Sequence, residues 1–114
     1  RRKLLHVRPS FRAVVALWRE EFSFRLQVCF GAVLLVSSYV LHISRLEFSI
    51  LVLALGMVLA TEAVNTALER LCDFIKPDHD PMIGKVKDLG SAAAGIVGLA
   101  ATVITLAIFI PHIV

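Results

Sequence analysis

Glu62, Asn65, Glu69 and Asp73 recur at offsets of 0, 3, 7 and 11 within Glu62-Ala-Val-Asn65-Thr-Ala-Leu-Glu69-Arg-Leu-Cys-Asp73. On a helix turning about 100° per residue they point to roughly 0°, −60°, −20° and +20°, so they share an arc of about 80°. Ala63, Val64, Ala67, Leu68 and Leu71 cover the rest of that helix. The residues from Phe48 to Thr61 carry no charge, which places Glu62 at membrane depth. A carboxylate there costs about 2.5–3.5 kcal/mol on insertion scales and marks a functional site by default. A purely structural polar seam is the competing use of such a face.

The spacing separates two chemical roles. Seven residues place the Glu62 and Glu69 α-carbons about 10 Å apart, at 1.5 Å per residue. That is awkward for joint ligation of one small cation. A deep carboxylate loses solvation and gains affinity for a proton, which suits Glu62 to act as general base toward an alcohol. Glu69, nearer the aqueous boundary, suits Mg²⁺, an ion usually held by one or two carboxylates plus substrate phosphates. Glu20 or Glu21 offers the second carboxylate, and Lys85 and Lys87 offer positive charge to phosphate oxygens. A base, metal ligands and cationic clamps together point to phosphoryl transfer at a membrane surface. There is no GxxxxGK[ST], GxGxxG or kinase catalytic loop, so any use of ATP proceeds without a soluble kinase fold.

The elements that must position these groups follow from charge segregation. The chain has 114 residues, of which 58% are hydrophobic and 18% charged. That composition excludes disorder, collagen-like repeats and a disulfide scaffold, and it leaves too little polar surface for a small soluble globule. Leu26–Ser44 and Leu89–Val114 are charge-free runs of 19 and 26 residues, and a 14-residue run ends at Glu62. With about 20 apolar residues needed to span a bilayer, the sequence predicts an all-α membrane protein with transmembrane helices at 26–44, 48–72 and 89–110. Residues 8–25 interleave arginines with Phe11, Val14, Val15, Leu17, Trp18 and Phe22. That pattern fits an amphipathic helix lying in the membrane interface, or a simple topogenic anchor. Residues 73–88, with two prolines, a glycine and many charges, read as a loop. The whole of 1–114 reads as one domain.

Lysine and arginine concentrate before the first span and between the second and third, which predicts a cytoplasmic amino end, a cytoplasmic 73–88 loop and an external C-terminus. The net charge of +3 is explained by this bias and by anionic headgroups, with no nucleic acid required. Gly90, Ala94 and Gly98 have the spacing of a helix–helix seam. Cys29 and Cys72 read as packed small hydrophobes, and the four histidines show no ligand spacing.

Three motifs on this layout resemble the small integral-membrane prokaryotic diacylglycerol kinases and undecaprenol kinases. The Glu62–Asp73 stretch matches the family's E-x-x-N-[ST]-A-[IL]-E-x-x-x-D, and Lys87-Asp88-Leu-Gly-Ser91-Ala-Ala matches K-D-x-[GA]-[SA]-[AG]-A. Trp18-Arg-Glu-Glu21-Phe-Ser-Phe24-Arg25 matches W-x-x-E-x-x-F-R. The resemblance implies a homotrimer in the bacterial inner membrane with shared active sites on the cytoplasmic side. It implies transfer of the ATP γ-phosphate, with Mg²⁺, to a lipid hydroxyl. By the same resemblance Glu62 is the general base, supported by Asn65, and Glu69 and Glu21 hold Mg²⁺–ATP. Lys87 and Asp88 belong to the nucleotide site, together with Asp78, His79 and Asp80 of the loop. Ser91 lies beside the lipid hydroxyl, with Trp18 and Arg25 at the lipid entrance.

The loop residues Asp78-His79-Asp80-Pro81 depart from the family pattern, and Phe24-Arg25-Leu26-Gln27 stands where diacylglycerol kinases commonly show F-R-Q-E. The expected acceptor is diacylglycerol, giving phosphatidic acid, with undecaprenol as the alternative. A proton-coupled transporter is a remoter reading that uses Glu62 alone and leaves the other acids without a role.

Overall fold

Four helices make up the computed structural model, which describes residues 2–75 and 80–114, with side chains from residue 8 onward. They are α1 (Arg2–Glu20), α2 (Phe22–Val40), α3 (Arg45–Ile75) and α4 (Pro81–Ile113). α2, α3 and α4 are each long and apolar enough to cross a membrane, in agreement with the all-α membrane class.

Each boundary has a local cause. Glu21 is extended (φ −113°, ψ 108°) and separates α1 from α2. α2 ends where His42 takes a positive φ of 56°. The Ile43 amide then donates to Ser38 O and the His42 amide to Tyr39 O, both at 3.2 Å. These are the two bonds of a Schellman motif, with histidine in the place glycine usually takes. Ser44 and Glu47 open α3 as a reciprocal capping box: each side chain accepts the other's backbone N–H at 3.1 Å. Asp80 caps α4, its Oδ1 accepting from the amides of Met82 (2.9 Å) and Ile83 (3.4 Å). Pro81 follows at the first helical position, where its missing N–H is harmless.

These stops differ from the boundaries drawn on charge. The first helix begins at Arg2 rather than at residue 8 and breaks at Glu21 rather than after residue 25. The helix containing the first span begins at Phe22 and ends at Val40, short of residue 44. Of the expected loop 73–88, residues 73–75 close α3 and 81–88 open α4. Charge-free runs locate only the lipid-compatible part of a helix. Backbone hydrogen bonding carries the helix onward until a cap or an extended residue stops it.

α3 packs mainly against α4, with α2 against α3 and α1 against α2. A cluster of Leu51, Ile108 and Phe109 joins the first part of α3 to the end of α4, with Leu41 and Ile43 of the α2–α3 turn packed against it. At that same end His112 Nε2 lies 3.2 Å from Glu47 Oε1. Large apolar side chains such as Phe30, Leu53, Ile96 and Leu99 face outward, as lipid-facing residues do when hydrocarbon replaces water as the solvent. Of the predicted small-residue seam, Gly90 meets α3, whereas a Cβ on Gly98 would meet nothing within 4 Å.

Candidate active site

The polar stripe of α3 turns inward. Glu62 Oε1 accepts a hydrogen bond from Ser23 Oγ of α2 at 3.0 Å. Asn65 packs against Gly90 of α4, and its Nδ2 donates to Glu69 Oε1 at 3.3 Å. Asp73 Oδ1 accepts from Lys87 Nζ of α4. Val64 and Leu71, on the opposite face of α3, are exposed. The acids therefore lie along the seam where α2, α3 and α4 converge, with the apolar residues left for lipid. Glu62 and Asn65 are partly buried, while Glu69 and Asp73 are exposed toward the end of the helix.

Arg70 ties the corner between α1 and α2 to this seam. Its Nη2 lies 2.9 Å from Glu20 Oε1 and 3.1 Å from Glu21 Oε1. Because Arg70 directly follows Glu69, the tether brings Glu21 to the same end of α3. Among the described residues no group of three or more His, Cys, Asp or Glu converges as a metal cage. Mg²⁺ bound with a nucleotide needs only one or two protein carboxylates, the remaining ligands being phosphate and water oxygens. Glu69, bonded to Asn65, and Glu21, bonded to Arg70, are two carboxylates at this end of α3 that could serve such an ion.

Other expected site residues are spread around this seam. Asp88 and Ser91 are exposed on α4, on either side of Gly90, and Trp18 is exposed on α1. The Arg25 guanidinium lies 5.6 Å from the centre of the Phe22 ring, within cation–π range. Asp80 starts α4 as its cap. Asp78 and His79 lie outside the described residues.

Two participants, Ser23 and Arg70, were not singled out for the site in the sequence. Ser23 has no motif around it, although Ser23 and Gln27 share one face of α2 by their i, i+4 spacing. Arg70 counted only toward membrane orientation, yet a cation inside an acidic stripe was the available signal. Asp73 was visible as a stripe member, but its partner Lys87 needs the α3–α4 pairing to be known.

Gly90 is required by a close approach. A Cβ there would sit 2.5 Å from Asn65 Oδ1 and 2.9 Å from Leu68 Cδ2. Gly90→Ala is expected to destabilise the protein by about 1–3 kcal/mol through overpacking and to displace Asn65 from Glu69. Thermal unfolding in detergent measures this against Gly95→Ala, whose Cβ would meet nothing within 4 Å. Equal melting temperatures for the two variants would refute the close packing of α4 on Asn65.

Residues 8–109 match the protein family described as prokaryotic diacylglycerol kinase. The chain is 27% identical over 95 residues to the undecaprenol kinase of Bacillus subtilis, covering 83% of this chain and 77% of that protein. It is 32% identical over 96 residues to the diacylglycerol kinase of Pseudomonas aeruginosa, covering 84% and 76% respectively. Against the diacylglycerol kinase of Escherichia coli the identity is 27% over 96 residues, covering 84% and 78%.

Proposed function

The chain belongs to the prokaryotic diacylglycerol kinase family, a family of lipid kinases, and on that premise we propose that it transfers the γ-phosphate of ATP to the free hydroxyl of diacylglycerol, giving phosphatidic acid and ADP. The observation that carries this reading is the two-level seam. Glu62 meets Ser23 between α2 and α3, directly after the charge-free run 48–61, and a charged cluster of Glu69, Arg70, Asp73 and Lys87 lies toward the helix ends. Their separation of about 10 Å along the helix leaves room for a lipid alcohol at one level and nucleotide phosphates at the other.

In this mechanism Glu62 accepts the hydroxyl proton as the lipid oxygen attacks the γ-phosphorus. The bond from phosphorus to the oxygen bridging to the β-phosphate breaks, and ADP leaves with the electron pair. Ser23 orients the base through its bond to Oε1. Asn65 holds Glu69 in place, and its own position is fixed by Gly90. Lys87 exchanges Asp73 for a phosphate oxygen, with Asp88 beside it on α4. Ser91 lies next to the acceptor hydroxyl, and Trp18 and Arg25 line the lipid entrance. Mg²⁺ arriving with ATP would be held by Glu69 and Glu21 and supplies neutralising charge to the phosphates. Asp80 contributes by starting α4.

This reading places the amino end and the connection between α3 and α4 on the cytoplasmic side of the bacterial inner membrane, with α1 lying in the interface as an amphipathic helix. It takes the working form as a homotrimer whose sites are shared between subunits. Undecaprenol is the second acceptor to consider, because one relative carries that activity in its name.

The test is transfer of label from γ-labelled ATP into lipid by the purified protein in mixed micelles. A Mg²⁺-dependent phospholipid product is expected with diacylglycerol, formed faster than with undecaprenol. ATP hydrolysis without a lipid product would overturn the kinase reading. Product from undecaprenol alone would overturn the acceptor.

A further inference from the structure

Arg70 meets two carboxylates with one nitrogen. Its Nη2 lies 2.9 Å from Glu20 Oε1 and 3.1 Å from Glu21 Oε1, and it carries two hydrogens, one for each acid. Glu20 and Glu21 are consecutive, and on a regular helix their side chains would diverge by about 100°. They converge on Arg70 because the helix breaks between them: Glu20 closes α1, and Glu21 is extended at φ −113° and ψ 108°. The break gives one guanidinium two partners.

The two acids are not equivalent. Glu21 stands at the N-cap of α2, yet its side chain makes no capping bond, in contrast to Asp80, which caps α4. Among the described residues, Arg70 is what its carboxylate holds. The backbone of Glu21 has its own support. Its amide donates to Leu17 O at 2.9 Å, its carbonyl accepts from the Arg25 amide at 3.3 Å, and Phe24 is buried in the turn that follows. Losing the guanidinium would free this carboxylate without moving the residue. Glu20 has the more exposed side chain, 54% against 35%.

The geometry points to Glu20 and Arg70 as a positioning pair that sets the affinity of Glu21 for a divalent cation. Arg70 occupies the Glu21 carboxylate before the cation arrives, and Glu20 keeps Arg70 paired afterwards. Yielding Glu21 to a cation takes one partner from Arg70 and sets a second positive charge beside it, and like charges at that range repel. With Glu20 in place, Arg70 passes from two partners to one. Without Glu20 it is left with none, so it competes harder for Glu21. Both residues stand at unspecified positions of the matched motifs, W-x-x-E-x-x-F-R and E-x-x-N-[ST]-A-[IL]-E-x-x-x-D. The inference rests on the Mg²⁺–ATP role given to Glu21 above and names what tunes it.

The experiment measures binding without turnover. The purified chain in detergent micelles is titrated with Mn²⁺ in the presence of the β,γ-methylene analogue of ATP, and free Mn²⁺ is read by electron paramagnetic resonance. Glu20→Gln should raise the Mn²⁺ dissociation constant about fivefold, the upper end for one exposed ion pair. Adding Arg70→Gln should bring it back to within about twofold of wild type, because nothing then competes for Glu21. Adding Arg19→Gln instead gives the same net charge but leaves Arg70 in place, so binding should stay weak. Recovery with Arg19→Gln as well would reduce the effect to overall charge and overturn the pairing. A Glu20→Gln/Arg70→Gln variant weaker than Glu20→Gln alone would make Arg70 a structural tie, not a competitor, and overturn it equally. An unchanged constant in Glu20→Gln would sink the inference while leaving the nucleotide site standing. No protein-bound Mn²⁺ in the wild type would remove both this inference and the Mg²⁺–ATP reading.

Discussion

Glu62→Gln should lower kcat for lipid phosphorylation by about 10²–10⁴-fold, the range for loss of a positioned general base, with the KM for ATP nearly unchanged. Glutamine keeps the length of the side chain, and its amide oxygen can still accept from Ser23 Oγ, which meets Glu62 at 3.0 Å. The packing of α2 on α3 should therefore survive, and a melting temperature close to wild type would separate chemistry from folding. The charge is what disappears, and with it the ability to take the alcohol proton as the new P–O bond forms. Steady-state rates at saturating ATP and lipid provide the measurement. Full activity in this variant, with Glu69 intact, would mean that another group removes the proton.

Glu69→Gln should act on the nucleotide side. Losing a carboxylate from the metal's donor set is expected to lower kcat/KM for Mg²⁺–ATP by at least about 100-fold, since even partners outside the ligand shell cost 10–100-fold. The distinguishing readout is the metal titration. Half-maximal activity should need more Mg²⁺ than wild type, and excess Mg²⁺ should restore part of the rate, whereas Glu62→Gln should show no such rescue. The Asn65 side chain, which donates to Glu69 Oε1 at 3.3 Å, can keep a glutamine oxygen in the same place. An unchanged Mg²⁺ requirement would remove Glu69 from the metal site.

The acidic face of α3 was legible because helical periodicity is fixed by the backbone and does not depend on packing. Four polar residues at 0, 3, 7 and 11 had to share a side, and the structure turns that side toward α2 and α4. The three apolar helices were legible for a similar reason, since hydrocarbon tolerates few charges. Helix ends were less so. Pro81 and Gly84 looked like loop residues, but Asp80 supplies a cap and proline suits the first helical position. Contacts between helices were the least accessible. Nothing near Ser23 in the sequence announces Glu62, 39 positions away, and Arg70 finds Glu21 across 49. Such pairings depend on how helices dock, which a single periodic pattern does not encode.

The α3–α4 hairpin is fastened near both ends, by Lys87 to Asp73 at one and by His112 to Glu47 at the other. Each fastening is weak alone, but together they resist splaying along two long antiparallel helices. α2 is held to the same hairpin, through the Ser23 hydroxyl on Glu62 and through Arg70 on Glu21 at its start. Because α2 and α4 both pack on α3, any tilt of α3 would shift its carboxylate stripe against both neighbours at once.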